Sequence, residues 1–160
     1  MELETDQLRL KIKSDALKLL SFRPRSVAEL SQRLEKKHYP PKLVAEAIES
    51  FRSQGFLDDE KFAKLFSQSL VDTRPTGKKG LEQELKKKGL SEHVISAALS
   101  NLKDFDEAAS ALELAKKRFR LMAGIPDIKK KSRIYGFLKR RGFSDHIVFE
   151  VIRQLLKEDV

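Results

Sequence analysis

The sequence predicts an all-α chain, built as a slender tandem array of three three-helix repeats. Three observations point there. The stretch from Leu81 to Leu102 carries apolar residues at Leu81, Leu85, Leu90, Val94, Leu99 and Leu102. Moved 51 residues upstream, the same mask falls on Leu30, Leu34, Tyr39, Leu43, Ile48 and Phe51; moved 53 downstream, it falls on Ile134, Leu138, Phe143, Ile147, Ile152 and Leu155. Each copy reads as two short helices around a turn, preceded by Lys36-Lys37, Lys87-Lys88 or Arg140-Arg141. Such self-similarity marks small units that stack to bury faces they cannot bury alone. Leu, Lys, Glu and Ala dominate, and Val and Ile never alternate with polar residues for long enough to make a strand. Charged residues make up 36%, well above the roughly 25% of ordinary globular chains, as a high surface-to-volume shape requires.

An N-terminal extension and the first repeat are expected over 1–55, the second repeat over 56–104 and the third over 105–160. Leu8, Ile12, Ala16 and Leu19 have helical spacing, which predicts a first helix from about Asp6 to Phe22 with Thr5 as N-cap. Arg23-Pro24 ends it, since the residue before proline avoids the α region. Ser26 with Glu29 forms a capping box opening the next helix, to about Lys37. Pro40-Pro41 suits the first turn of the helix that runs to Gln54, where Gly55 stops it. Asp58 or Asp59 caps the following helix, whose inner stripe is Phe62, Leu65, Phe66 and Leu70. Thr73 to Gly80, with one proline and two glycines, reads as a loop. Asp106 opens the third repeat, whose first helix carries Ala108, Ala109, Leu112, Ala115 and Phe119 inward. Gly124-Ile125-Pro126 breaks that helix and Asp127 caps the next.

Composition excludes several function classes. Without cysteine there is no disulfide, thiolate metal site or thiol nucleophile, which suits a reducing cytoplasm. The longest run free of Asp, Glu, Lys and Arg is His93–Leu102, too short to span a bilayer, and the acidic start MELETD lacks the order of a signal peptide. His93 and His146 share one repeat position, where the first repeat has Lys42, so they read as surface; with His38 they supply no metal site. Asp58-Asp59 is explained by capping rather than by a Mg²⁺ site. No P-loop, dinucleotide fingerprint or G-x-S-x-G is present. The expectation is a cytoplasmic protein with no enzymatic activity, cofactor or catalytic residue, and a monomer.

Charge points to a polyanionic partner. The chain carries a net +9, and Lys116–Arg141 alone holds eleven Lys or Arg against one acid, Asp127. Lys86, Lys87 and Lys88 occupy the same repeat positions as Lys139, Arg140 and Arg141, while the first repeat has Glu35 in place of the first lysine. With Lys129, Lys130, Lys131 and Arg133 they are the candidate binding residues, suited to a phosphate backbone. Tyr135 and Phe137 flank them, but Phe137 reads as core rather than as a stacking platform, so no base-specific recognition is expected.

Four motifs carry a family resemblance. Gly55-Phe56-Leu57-Asp58-Asp59-Glu60-Lys61-Phe62-Ala63 resembles the signature between the first two units of the RecX family. Arg74-Pro75-x-Gly77, followed by Leu81, Glu84-Leu85 and Lys88-Gly89-Leu90, is similar to that family's second-unit motif. Tyr135-x-Phe137-Leu138-x-Arg140-Arg141-Gly142-Phe143 resembles its third-unit motif, and Leu19-Leu20, Arg23-Pro24-Arg25-Ser26 and Glu29-Leu30 its first. The match spans about residues 14 to 157. The resemblance implies an elongated, curved array without enzymatic activity that regulates the RecA recombinase in DNA recombination and repair. Such proteins lodge in the groove of the RecA–DNA filament and inhibit its ATPase, coprotease and strand-exchange activities; some also bind DNA directly. One departure stands out: His38 sits where the family usually has a glycine before the turn residue, which implies a different turn in the first repeat. The competing expectations are a DNA-binding array indifferent to RecA and a protein scaffold that ignores nucleic acid.

Overall fold

The computed structural model describes residues 2–158, and among these the chain forms nine helices and no strand. They are α1 (Glu2–Phe22), α2 (Val27–Glu35), α3 (Pro41–Ser53), α4 (Asp59–Thr73), α5 (Lys78–Lys87), α6 (Glu92–Ser100), α7 (Glu107–Arg120), α8 (Asp127–Arg140) and α9 (Asp145–Glu158). The triplets α1–α3, α4–α6 and α7–α9 are the three repeats. No position of the repeating apolar mask is exposed; Val94, Leu99, Leu102, Ile147 and Ile152 are half-buried and the others fully buried. The chain nonetheless packs as two compact units rather than three. The first comprises the residues up to Leu65 with Leu85–Ala97, around a core of Ile12, Leu30, Leu34, Val44 and Phe51. The second comprises Phe66–Glu84 and the described residues from Ala98 onward, around Ala111, Ala115, Leu138, Phe143 and Val148. The middle repeat is thus divided between the two units.

Helix ends follow the local signals, with instructive differences. Ser26 and Glu29 complete the reciprocal capping box. Asp58 rather than Asp59 caps α4, its Oδ1 accepting from the Lys61 N–H at 2.9 Å, and Asp106 caps α7 through the Ala109 N–H at 3.0 Å. Asp127 is not a cap: Pro126 holds that place without a side-chain bond, and Asp127 is the first residue of α8, where the helix dipole favours its charge. The first helix starts at Glu2 rather than near Asp6, so Thr5 lies inside it; Glu4 and Asp6 then stand near its positive end. Leu65 is 54% exposed, whereas Ala63 and Ser67 are fully buried, because small side chains let α4 approach its neighbours closely. On α7, Ala115 is fully buried as expected, and Ala111 rather than Ala109 is buried with it.

The turn residue of the first repeat keeps the conformation of the others, although α2 ends one position earlier than α5 and α8 do. His38 has φ 62°, in the left-handed region where Gly89 (75°) and Gly142 (79°) sit at the same repeat position. Geometry is kept and the glycine is lost, so this turn bears a steric cost of about 1 kcal/mol or more at His38.

Successive repeats join by one repeating contact, seen within each unit. In the first unit, Ser26 Oγ donates to the Lys88 carbonyl at 2.5 Å, and Asp59 Oδ1 accepts from the Val27 N–H at 2.8 Å. In the second, the Gly77 N–H donates to the Arg141 carbonyl at 2.9 Å, and Glu107 Oε1 accepts from the Lys78 N–H at 2.9 Å. The residues correspond repeat for repeat. The turn of one repeat, together with the first carboxylate of its first helix, satisfies the orphan amides at the start of the preceding repeat's second helix. Helix C-terminal carbonyls thereby meet a helix N-terminus, a favourable dipole alignment. Gly80, expected in a loop, lies inside α5 for this reason. A Cβ on Gly142 would stand 2.2 Å from Gly80 N and 2.3 Å from its Cα, so both positions need glycine. In the third repeat, the position equivalent to Ser26 and Gly77 is Lys130, one turn inside α8. The helix starts earlier there and carries Lys129 and Lys130 in the added turn.

Candidate polyanion interface

The expected cationic residues fall into two sets, one in each unit. In the first unit, Lys86 and Lys87 are exposed on the last turn of α5, but Lys88 is drawn into the joint. Its ammonium lies 2.8 Å from Glu29 Oε1, and Glu29 also accepts from Arg23 at 2.9 and 3.2 Å and from the Ser26 N–H at 3.3 Å. Burial pushes the Glu29 carboxyl up, but the hydrogen bonds from Arg23, Lys88 and Ser26 outweigh it and bring the group down to about 2. Lys87 and Lys88 also line a groove of about 420 Å³ that faces Glu29 and Glu35. Glu29 and Glu35 offset part of this set's charge, and Lys88 serves cohesion there.

In the second unit the cations outnumber their partners. Lys129, Arg133 and Arg140 lie four and seven residues apart along α8, so they share one face over about 16 Å, and all three are exposed. Gly136 occupies the remaining place on that face, and the Arg140 guanidinium lies 3.2 Å from where its Cβ would be. Lys131 is exposed on another side of the helix. Lys130 turns back over the Phe119 ring, 4.5 Å from its centroid, and lies 3.5 Å from Asp127. Lys139 pairs with Asp145 at 3.0 Å; hydrogen bonds from Tyr135 and from Lys139 hold that carboxyl below the usual range. Arg141 lies over Phe137 at 5.4 Å and donates to the Pro75 carbonyl at 3.4 Å.

Sequence reasoning missed one contributor. Arg118, from the last turn of α7, lies over the same Phe137 ring at 5.3 Å, so one aromatic face system gathers two guanidinium groups. The signal was available, since Arg118 lies within the basic window, but only the fold brings it to α8. The rings are occupied by cations: Phe137 packs partly into the core, and Tyr135 donates to Asp145 at 2.8 Å while stacking on Phe149. An exposed cationic face with its aromatics turned inward suits phosphates rather than bases.

Among the described residues, no group of three or more His, Cys, Asp or Glu is placed to hold a metal, and no helix is long and apolar enough to cross a membrane. His93 and His146 are on the surface. Asp58 and Asp59 act in capping and in the joint between repeats.

Fold and surface define a class: an all-helical protein of three tandem three-helix domains, with its excess of positive charge concentrated between Lys116 and Arg141 of the last. Comparison with known proteins supplies the family. Residues 13–51, 58–99 and 106–152 match, in order, the descriptions "RecX, first three-helix domain", "second three-helix domain" and "third three-helix domain". The chain belongs to the RecX family of regulatory proteins. It is 34% identical to the Regulatory protein RecX of Chlorobium phaeobacteroides (strain BS1), over 89% of this chain and 91% of that protein. It is 35% identical to the one from Mycolicibacterium smegmatis, over 88% and 77%. A crystal structure of a regulatory protein RecX superposes with a TM-score of 0.86 at 26% identity, covering 96% of this chain and 76% of the other. The structure of RecX from Lactobacillus salivarius shares the fold, with a TM-score of 0.84 at 23% identity, over 94% and 97%.

Proposed function

We propose that this chain is a cytoplasmic negative regulator of RecA, which binds in the groove of the RecA–DNA filament and inhibits its ATPase, coprotease and strand-exchange activities. It acts by occupancy and not by catalysis. Membership of a family of regulatory proteins carries the proposal. The concentration of exposed cations on α8 supports contact with a filament whose DNA is a polyanion. The repeats, bounded at 1–55, 56–104 and 105–160, are its functional units. Attachment runs through Lys86–Lys88, Lys129–Lys131, Arg133 and Lys139–Arg141, with Lys129, Arg133 and Arg140 the most accessible of them on α8.

The test is RecA ATPase on single-stranded DNA titrated with this protein, with binding to bare DNA measured in parallel. Inhibition well below the concentration that coats bare DNA is expected. The triple variant K129E/R133E/R140E should lose roughly tenfold or more in inhibitory potency and show a shallower salt dependence, with its circular dichroism unchanged because none of the three sites is buried. Undiminished inhibition by that variant rejects the assigned face. A second reading, a sequence-nonspecific DNA-binding array independent of RecA, is favoured by the eleven cations between Lys116 and Arg141. It takes over if inhibition appears only where the DNA is already saturated.

A further inference from the structure

Helix α1 is apolar on two opposite faces. Leu8, Ile12, Ala16 and Leu19 turn inward and pack in the core of the first unit. Leu3, Leu10 and Leu17 point away from it, 80%, 69% and 41% exposed. Seven-residue spacing puts these three leucines on one line, and the places between them on that line are Gln7, Ser14 and Ser21. A strip about 27 Å long therefore carries no charge, in a chain whose residues are 36% charged. A helix that only covered a core would present polar, mostly charged residues here. Its first half also lies ahead of residue 13, where the match to the family's first domain begins.

We propose that this strip is a self-association face, on which a second copy of the chain lays its own α1 antiparallel. Charge order selects both the occupant and the direction. Glu4 and Asp6 lie in the first half of the helix, with Arg9, which pairs with Asp6 at 3.0 Å and with Glu46 at 3.1 Å; Lys11, Lys13 and Lys18 lie in the second, with Asp15, which pairs with Lys37. With Leu10 opposite Leu10 of the second copy, Leu3 meets Leu17 and Leu17 meets Leu3. Asp6 then falls within one residue of Lys13 of the second copy along one flank. Glu4 falls within two residues of Lys18 along the other. The two-fold axis makes each contact twice. Parallel pairing would instead set Glu4, Asp6, Lys13 and Lys18 against themselves. Arg9 and Lys11, each one residue from the axis on opposite flanks, are the like-charge meetings in the antiparallel arrangement. Three leucines per helix bury far less than the roughly 1,600 Å² of a standard interface, so the dimer is weak and concentration-dependent. This face is independent of the proposed action on RecA.

The experiment is sedimentation velocity on the full chain from about 5 to about 500 µM, spanning the affinities of small interfaces. A shift from monomer to dimer across that range is expected, with L10S remaining monomeric. E4K/D6K makes the helix basic throughout its flanks and K13E/K18E makes it largely acidic; each alone should be monomeric, and an equimolar mixture should dimerise. Circular dichroism on each variant verifies that helix content is kept. A wild type that stays monomeric at the highest concentration overturns the proposal, as does an L10S variant that dimerises like wild type. Failure of the folded mixture to dimerise rejects the antiparallel pairing.

Discussion

Replacing Glu29 by glutamine should separate the electrostatic part of the joint between the first two repeats from its packing. The carboxylate is only 16% exposed and accepts from Arg23, from Lys88 and from the Ser26 amide. Its fall from an ordinary 4.5 to about 2 corresponds to about 3 kcal/mol of preference for the charged form in the folded chain. The unfolded carboxyl takes up its proton near pH 4.5, whereas the folded one resists until near 2. The stabilisation is therefore complete above pH 4.5 and is lost as pH falls through the interval to 2. Glutamine keeps the size and one acceptor but no charge. Arg23 is 43% exposed and recovers water readily, so the expected loss at pH 7 is nearer 2 kcal/mol. Urea unfolding of wild type and E29Q at pH 7, 4 and 2.5 measures it. The difference should be largest at pH 7 and should shrink to under about 1 kcal/mol at pH 2.5. A difference that stays constant with pH would refute the linkage, because other carboxylates titrate equally in both proteins.

Two backbone substitutions test the turns. H38G should raise stability by about 0.5–1 kcal/mol, since relief of the left-handed strain exceeds glycine's extra unfolded freedom; differential scanning calorimetry should show a rise of about 2 °C. A fall would mean that the His38 side chain supplies a compensating contact. G142A should cost more than about 3 kcal/mol, combining a positive φ with a backbone approach that cannot yield, and urea unfolding reads it directly. G55A is the control: its φ is 77° but nothing lies within 4 Å of the added Cβ, so only about 1 kcal/mol should be lost. Equal losses at the two sites would remove the close approach from the account.

Much of this architecture was legible because its signals are local. The apolar mask, the Ser26–Glu29 box and the glycine stops each act over a few residues, and each stands where periodicity and capping chemistry put it. Distant partners were not legible. Lys88 read as a surface cation because Glu29 lies 59 residues away in sequence. Gly80 read as a helix breaker because the backbone it must admit belongs to Gly142. On α4, Phe62 is buried and Phe66 and Leu70 half-buried as their spacing suggested, but Leu65 is exposed and the small residues Ala63 and Ser67 are buried beside them. At His38, the residue type pointed to a different turn, but its backbone takes the left-handed conformation that glycines hold in the other repeats. On α8, sequence named the cations correctly as a group; their division into accessible, ring-bound and acid-paired members is a property of the folded surface.

The early start of α8 changes what the third repeat offers at the place of the joint. In the first two repeats, a short second helix leaves donors at its opening to be met by the next turn, the Ser26 hydroxyl in one and the Gly77 amide in the other. At the corresponding place in the third, Lys130 is already wound into helix, and its neighbours are charged. That socket is filled. The Lys130 N–H is bonded to the Pro126 carbonyl, so the contact that links successive repeats has no counterpart at this position. The change of helix start thus replaces a joint with a turn that carries cations.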